Sequence, residues 1–128
     1  MNINIILYVS DQRRSADFYR AVLGKDPELD VPGMTEFRLN DGAVLGLMPE
    51  KGIKRLLPGL PDPASAAGIP RAEAYFTVED PAGCHARALA AGGKELSPLA
   101  PRDWGHEAAY SLDPDGHVLA FARALPAK

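Results

Sequence analysis

The chain has little cysteine, little tryptophan and no long apolar run. Cys84 stands alone, so no internal disulfide can form and no second thiolate is at hand for a redox pair or a metal knuckle. Its simplest role is that of a small apolar residue on a helix. Positive charge is also in short supply. The 14 Lys and Arg are outnumbered by 17 Asp and Glu, which leaves nothing to attract a phosphate backbone and sets nucleic acid aside as a partner. No apolar stretch approaches the roughly 20 residues that span a bilayer, and the opening MNINIILYVSDQRR has no basic segment ahead of its apolar run. The expectation is a soluble, cytoplasmic protein with no membrane partner. Nothing reads as a nucleophile elbow, a phosphate loop or a dinucleotide fingerprint, so hydrolase and kinase chemistry is set aside as well.

What is present is enough for one domain, since 128 residues can bury roughly two-thirds of the surface that the unfolded chain exposes. Ile3 to Val9 is β-branched-rich and reads as a strand. Asp11 is placed to cap a helix in which Phe18, Tyr19, Val22 and Leu23 share one face, and Gly24 is placed to end it. The pattern then recurs. Ala74 to Val78 reads as a strand, Asp80 as a cap followed by Pro81 at the first helical position, and Gly92-Gly93 as a stop. Asp11 to Asp80 is an offset of 69, and Gly24-Lys25 to Gly93-Lys94 is the same.

A second pair of matching segments follows. Asp41-Gly42 and the apolar run after it align with Asp115-Gly116 and its run at an offset of 74, so the later copy gains five residues, placed around Pro101 to Gly105. Both Asp-Gly pairs are expected in tight turns that need a positive φ. Module 1 is therefore read over about residues 1–49 and module 2 over about 72–125, with a connector over about 50–71 that is rich in proline and glycine. That connector reads as a surface linker, with closure over a site as the alternative.

The segment Tyr8-Val9-Ser10-Asp11, with Ser15, Phe18-Tyr19 and Leu23-Gly24 behind it, resembles the start of the vicinal-oxygen-chelate superfamily of glyoxalase I, bleomycin-resistance proteins and extradiol dioxygenases. Asp113-Pro114-Asp115-Gly116-His117, preceded by Trp104-Gly105, resembles its closing signature. The resemblance covers nearly the whole chain apart from the connector. It implies a single α+β domain of two tandem βαβββ modules, with curved mixed sheets forming a cleft and helices on the outer faces. It also implies a homodimer.

Metal-dependent members of that superfamily place ligands on the first and last strand of each module. The corresponding positions here are Asn4, Glu73, Gly46 and Ala120. Only Glu73 is a good ligand, and one carboxylate falls short of the three or four N or O donors of a catalytic divalent site. No cofactor is expected, and a divalent metal is disfavoured. His117, after the Asp-Gly turn, is expected at the surface or on local backbone, and His85 is read as a helix residue. His106 stands at the edge of the implied cleft, without a second histidine spaced to join it.

The resemblance assigns Asn4, Ile6 and Tyr8 to the cleft, and strand alternation adds Glu73, Tyr75, Thr77, Val44, Gly46, Met48, Val118 and Ala120. Gly46 and Ala120 are expected to leave open volume. Trp104 is a stacking candidate or a core aromatic; Phe37 is a second stacking candidate whose facing the sequence leaves open. The ligand-binding candidates are Phe37, Met48, Glu73, Tyr75, Trp104 and His106. Arg38 and Arg71 are possible polar partners, with an Arg71–Glu73 ion pair as the plain alternative. Two functions remain open. One is a metal-free binder of an aromatic or amphipathic small molecule; the other is a lyase, isomerase or dioxygenase-type enzyme with a displaced metal or with Glu73 or His106 as acid or base.

Overall fold

The computed structural model describes residues 1–127 and divides into two compact units, the first Met1–Ala67 and the second beginning at Gly68. Each unit carries the βαβββ order expected from the repeat, and the α+β class holds.

In the first unit, β1 (Ile3–Val9) is followed by α1 (Gln12–Leu23), β2 (Leu29–Val31), β3 (Met34–Asn40) and β4 (Ala43–Pro49). The sheet order is β1-β4-β3-β2, with β1 parallel to β4 and the other pairs antiparallel. Helix α1 starts where the Asp11 carboxylate accepts the Arg14 N–H at 3.0 Å, and it ends where Gly24, at φ 67°, donates to Arg20 O. Ser15, Ala16, Phe18, Tyr19 and Val22 are its buried residues, the three- and four-residue spacing of one helical face. That face packs on β3 and β4. Gln12 then ties the short β2–β3 turn to the helix: its amide donates to Val31 O and Thr35 Oγ1 and accepts from the Gly33 N–H.

The second unit repeats the plan with β5 (Glu73–Thr77), α3 (Pro81–Ala90), β6 (Lys94–Pro101), β7 (His106–Leu112) and β8 (Val118–Ala124), in sheet order β5-β8-β7-β6. Asp80 caps α3 through the Gly83 N–H, and paired bonds from Gly92 to Leu89 O and from Gly93 to Ala88 O close it. Pro81, His85 and Ala88 are the buried residues of α3, which packs on β7 and β8. Phe76 and Phe121 stack with centroids 5.6 Å apart.

Strand pairing locates the five extra residues. Glu36 pairs with Gly46 and Tyr110 with Ala120, Arg38 with Val44 and Leu112 with Val118, always at an offset of 74. The added length therefore lies between α3 and β7, in a longer β6 with two register shifts and in the turn after it.

Three sequence expectations need correction. The connector is not a bare linker: Glu50–Leu56 forms α2 with Ile53 buried, and Pro63–Ala66 forms a 3-10 turn capped by Asp62. Local apolar burial and a side-chain cap outweigh the proline and glycine content there. Of the two Asp-Gly turns, Gly116 has a positive φ of 87° but Gly42 does not, because Asn40 Oδ1 accepts the Gly42 N–H and supports that turn instead. His117 is buried rather than at the surface, and its backbone is tied to Asp113 on both sides. Among the described residues no helix is long and apolar enough to cross a membrane.

Candidate functional site

In an isolated βαβββ unit one sheet face meets the helix and the other is left for a site. In the second unit the face away from α3 carries Glu73, Tyr75 and Thr77 from β5, Val118, Ala120, Ala122 and Ala124 from β8, and His106, Ala108 and Tyr110 from β7, as the register dictates. The β8 residues on this face are small. Side chains from β5 and β7 can therefore meet above β8, although that strand lies between them.

They do meet. The Tyr75 hydroxyl is 2.7 Å from His106 Nδ1, and the rings stack at 5.8 Å with 29° between their planes. Trp104 Nε1 donates to the same hydroxyl at 2.9 Å. Trp104 reaches it from the turn between β6 and β7, which closes through Arg102 N–H to His106 O at 2.7 Å and Leu125 N–H to Gly105 O at 2.9 Å. Gly105 has φ 84°, a conformation that glycine adopts without steric cost. Trp104 is 52% exposed and Tyr75 37%, so both rings present apolar surface to solvent while their polar atoms stay paired.

Tyr110 and Arg102 complete the cluster, and sequence reasoning missed both. The Arg102 guanidinium lies 5.2 Å from the Tyr110 ring centroid and donates to Ala108 O, Pro98 O and Ser97 Oγ, filling the irregular stretch of β6. Burial pushes the Tyr110 phenol above its ordinary range; the Glu73 carboxylate and Tyr75 push it further, and Arg102 opposes them. The available signal was strand alternation, which puts Tyr110 on the same face of β7 as His106 and Ala108.

The model of the Glyoxalase/Bleomycin resistance protein/Dioxygenase superfamily matches residues 3–121. The chain belongs to that superfamily. Among solved structures, this superfamily member resembles a glyoxalase-related enzyme from Fulvimarina pelagi, with TM-score 0.83 and 26% identity over 96% of this chain and 87% of that one. It also resembles a glyoxalase/bleomycin resistance protein/dioxygenase from Nocardioides, with TM-score 0.79 and 21% identity over 100% and 85% of the two chains. A protein of unknown function from Agrobacterium tumefaciens aligns with TM-score 0.76 and 23% identity over 98% and 94%. No curated protein matches the chain.

A divalent metal of the kind found in this superfamily does not fit the residues present. Gly46 has no donor, and a Cβ built there would meet Ile6 Cγ1 at 3.1 Å and Met34 Sδ at 3.3 Å. Ala120 is fully buried in the row between Tyr75 and Tyr110. The open volume expected at these two small residues is therefore filled by their neighbours. Asn4 is engaged with Glu36 at 3.4 Å, and Glu73 is left as the one carboxylate of the four positions. Among the described residues no three His, Cys, Asp or Glu side chains converge as metal ligands.

The other candidates are dispersed. Phe37 is 0% exposed, on the face of the first sheet that packs under α1, so it is a core residue and is closed to a ligand. Met48 is half-buried near α2 in the first unit. Arg38 pairs with Glu28 at 2.9 Å, and Arg71 donates to the backbone carbonyls of Ile69 and Asp115 in place of the Arg71–Glu73 pair named as the alternative. His85 is a helix residue, as expected, buried and 2.9 Å from Glu95. Two hollows of about 360 and 500 Å³ open on the first unit, lined largely by charged side chains, and neither contains a predicted site residue.

Proposed function

We propose that the helix-free face of the second unit binds a flat aromatic or amphipathic small molecule without a metal, by stacking on Trp104 and Tyr75. The observation that carries this reading is the exposed Trp104 ring, whose N–H is already held by Tyr75. An indole fixed in this way offers apolar area with little rotamer freedom left to lose on binding. Polar groups at the rim, Glu73 and His106 among them, supply the few directional contacts that such sites use.

The reading is tested by titrating aromatic natural products against Trp104 fluorescence and by following the thermal midpoint with divalent cations. A saturable fluorescence change with a midpoint unmoved by cations is expected. A stoichiometric metal with a large thermal shift would overturn the reading and return the protein to lyase, isomerase or dioxygenase chemistry.

A second reading, an acid–base enzyme, is supported by the short Tyr75–His106 contact and by likeness to a structure described as a glyoxalase-related enzyme. Glu73 supports it less well, because it is exposed rather than buried. In that case His106→Gln abolishes turnover of a bound compound while sparing its affinity.

A further inference from the structure

We infer that His106 is the specificity residue of this face and that it selects aromatic molecules bearing a hydrogen-bond acceptor, a carbonyl oxygen or its equivalent. The inference rests on the ligand-binding reading above and adds the ligand's polar group to it.

The argument follows the protons. An indole N–H can only donate, so at 2.9 Å Trp104 occupies the Tyr75 oxygen as acceptor. The phenol has one proton, and the 2.7 Å contact to His106 Nδ1 is where that proton is used. Nδ1 is then an acceptor, and a neutral imidazole with an accepting Nδ1 carries its hydrogen on Nε2. The reverse arrangement, with Nδ1–H donating to Tyr75, makes the phenol oxygen accept twice and leaves its own proton to solvent instead of to a fixed partner. A head-to-tail run of donors also polarises along its length, which favours the first arrangement.

The ring that carries this hydrogen is held in place. Tyr75 stacks on it, and Arg102 N–H anchors its backbone carbonyl. No described residue engages Nε2, the nitrogen on the far side of the ring from the Tyr75 contact. The face therefore offers a fixed donor beside two exposed aromatic rings. It accepts an aromatic oxygen acceptor and leaves an equally flat hydrocarbon without a partner. Tyr75 and Trp104 act here as positioning residues for His106.

Two measurements on the full-length protein test this. Long-range nitrogen-15 spectra of histidine-labelled protein, recorded where imidazole is neutral and assigned with His106→Gln, are expected to show the Nε2–H form of His106. Tyr75→Phe is expected to release it to a mixture of both forms. An Nδ1–H pattern in the unaltered protein, or no change in Tyr75→Phe, overturns the inference. The second measurement follows the Trp104 indole resonance during titration with acetophenone and with α-methylstyrene, in which a methylene group stands in place of the carbonyl oxygen. Acetophenone is expected to bind about five-fold more tightly, the scale of one net hydrogen bond, and His106→Leu is expected to erase the difference. Equal binding of the two probes overturns the role of His106 and leaves the stacking surface standing. If neither probe moves the indole resonance, the binding reading itself fails and takes this inference with it.

Discussion

Tyr75 and His106 are hydrogen-bonded across an intervening strand: β5 and β7 are not neighbours, and β8 passes between them. Neighbouring strands lie about 4.8 Å apart, so side chains two strands apart meet only if the middle strand contributes little bulk. Here β8 contributes Ala120, Ala122 and Ala124 on that face, and the first two are fully buried. Ala120, read from the sequence as leaving open volume for a ligand, is thus one of three small residues on β8 beneath a polar bridge.

Enlarging the floor under that bridge should break it. Ala122 pairs with Thr77 on one side and Ala108 on the other, with no exposed surface into which a longer side chain can turn. Ala122→Leu is expected to lower stability by about 1 to 3 kcal/mol through overpacking and to separate Tyr75 from His106. Urea unfolding checks the first effect, and the histidine nitrogen-15 pattern checks the second. A stable variant that keeps the wild-type pattern would show that the bridge does not depend on alanine at this position.

Gly105 sets the position of Trp104. With φ at 84° and no atom within 4 Å of a built Cβ, an alanine there has space but the wrong backbone. Gly105→Ala is expected to cost about 1 to 2 kcal/mol and to shift the turn, releasing the indole from Tyr75. Trp104 emission should move toward that of a fully solvated indole. Unchanged emission together with unchanged stability would mean that the turn tolerates a side chain without moving the ring.

Much of the fold was legible because the boundaries of α1 and α3 are written locally. Asp11, Gly24 and Asp80 act in the structure as their residue types predict, and the repeat fixes the order of elements. The site was legible only in part. Strand alternation placed Glu73 and Tyr75 on one face, whereas the contact with Trp104 depends on a turn whose path lies beyond alternation. Arg102 could not be read at all, because its partners, Ser97 Oγ and the carbonyls of Pro98 and Ala108, are brought together only where the pairing of β6 with β7 is irregular. For Phe37 the period of two left both faces open, and tertiary packing decided.

That decision separates two aromatic substitutions. Phe37 is 0% exposed and pairs with Leu45 beneath α1, so Phe37→Ala should cost about 3 to 5 kcal/mol. Trp104 is 52% exposed, so Trp104→Ala should leave the thermal midpoint nearly unchanged and weaken an aromatic ligand by about 1 to 3 kcal/mol. Paired melting and calorimetric titration distinguish them. A large loss of stability in Trp104→Ala would make it a core residue and remove the stacking surface.

Alkaline titration tests the electrostatics of the cluster. Burial, then the Glu73 carboxylate and Tyr75, raise the Tyr110 phenol in the folded protein, against the pull of Arg102. The unfolded phenol ionises near pH 10, below the folded one. The stability this provides is therefore complete below about pH 10 and is lost as pH rises through the folded value. The phenolate absorbance of the native protein minus that of Tyr110→Phe should give a midpoint above the ordinary tyrosine range. Glu73→Gln should lower that midpoint by removing a like charge, but only in part, because burial is the larger cause and remains. A midpoint indifferent to Glu73→Gln would place that carboxylate away from Tyr110 and detach it from the face that carries Trp104 and His106.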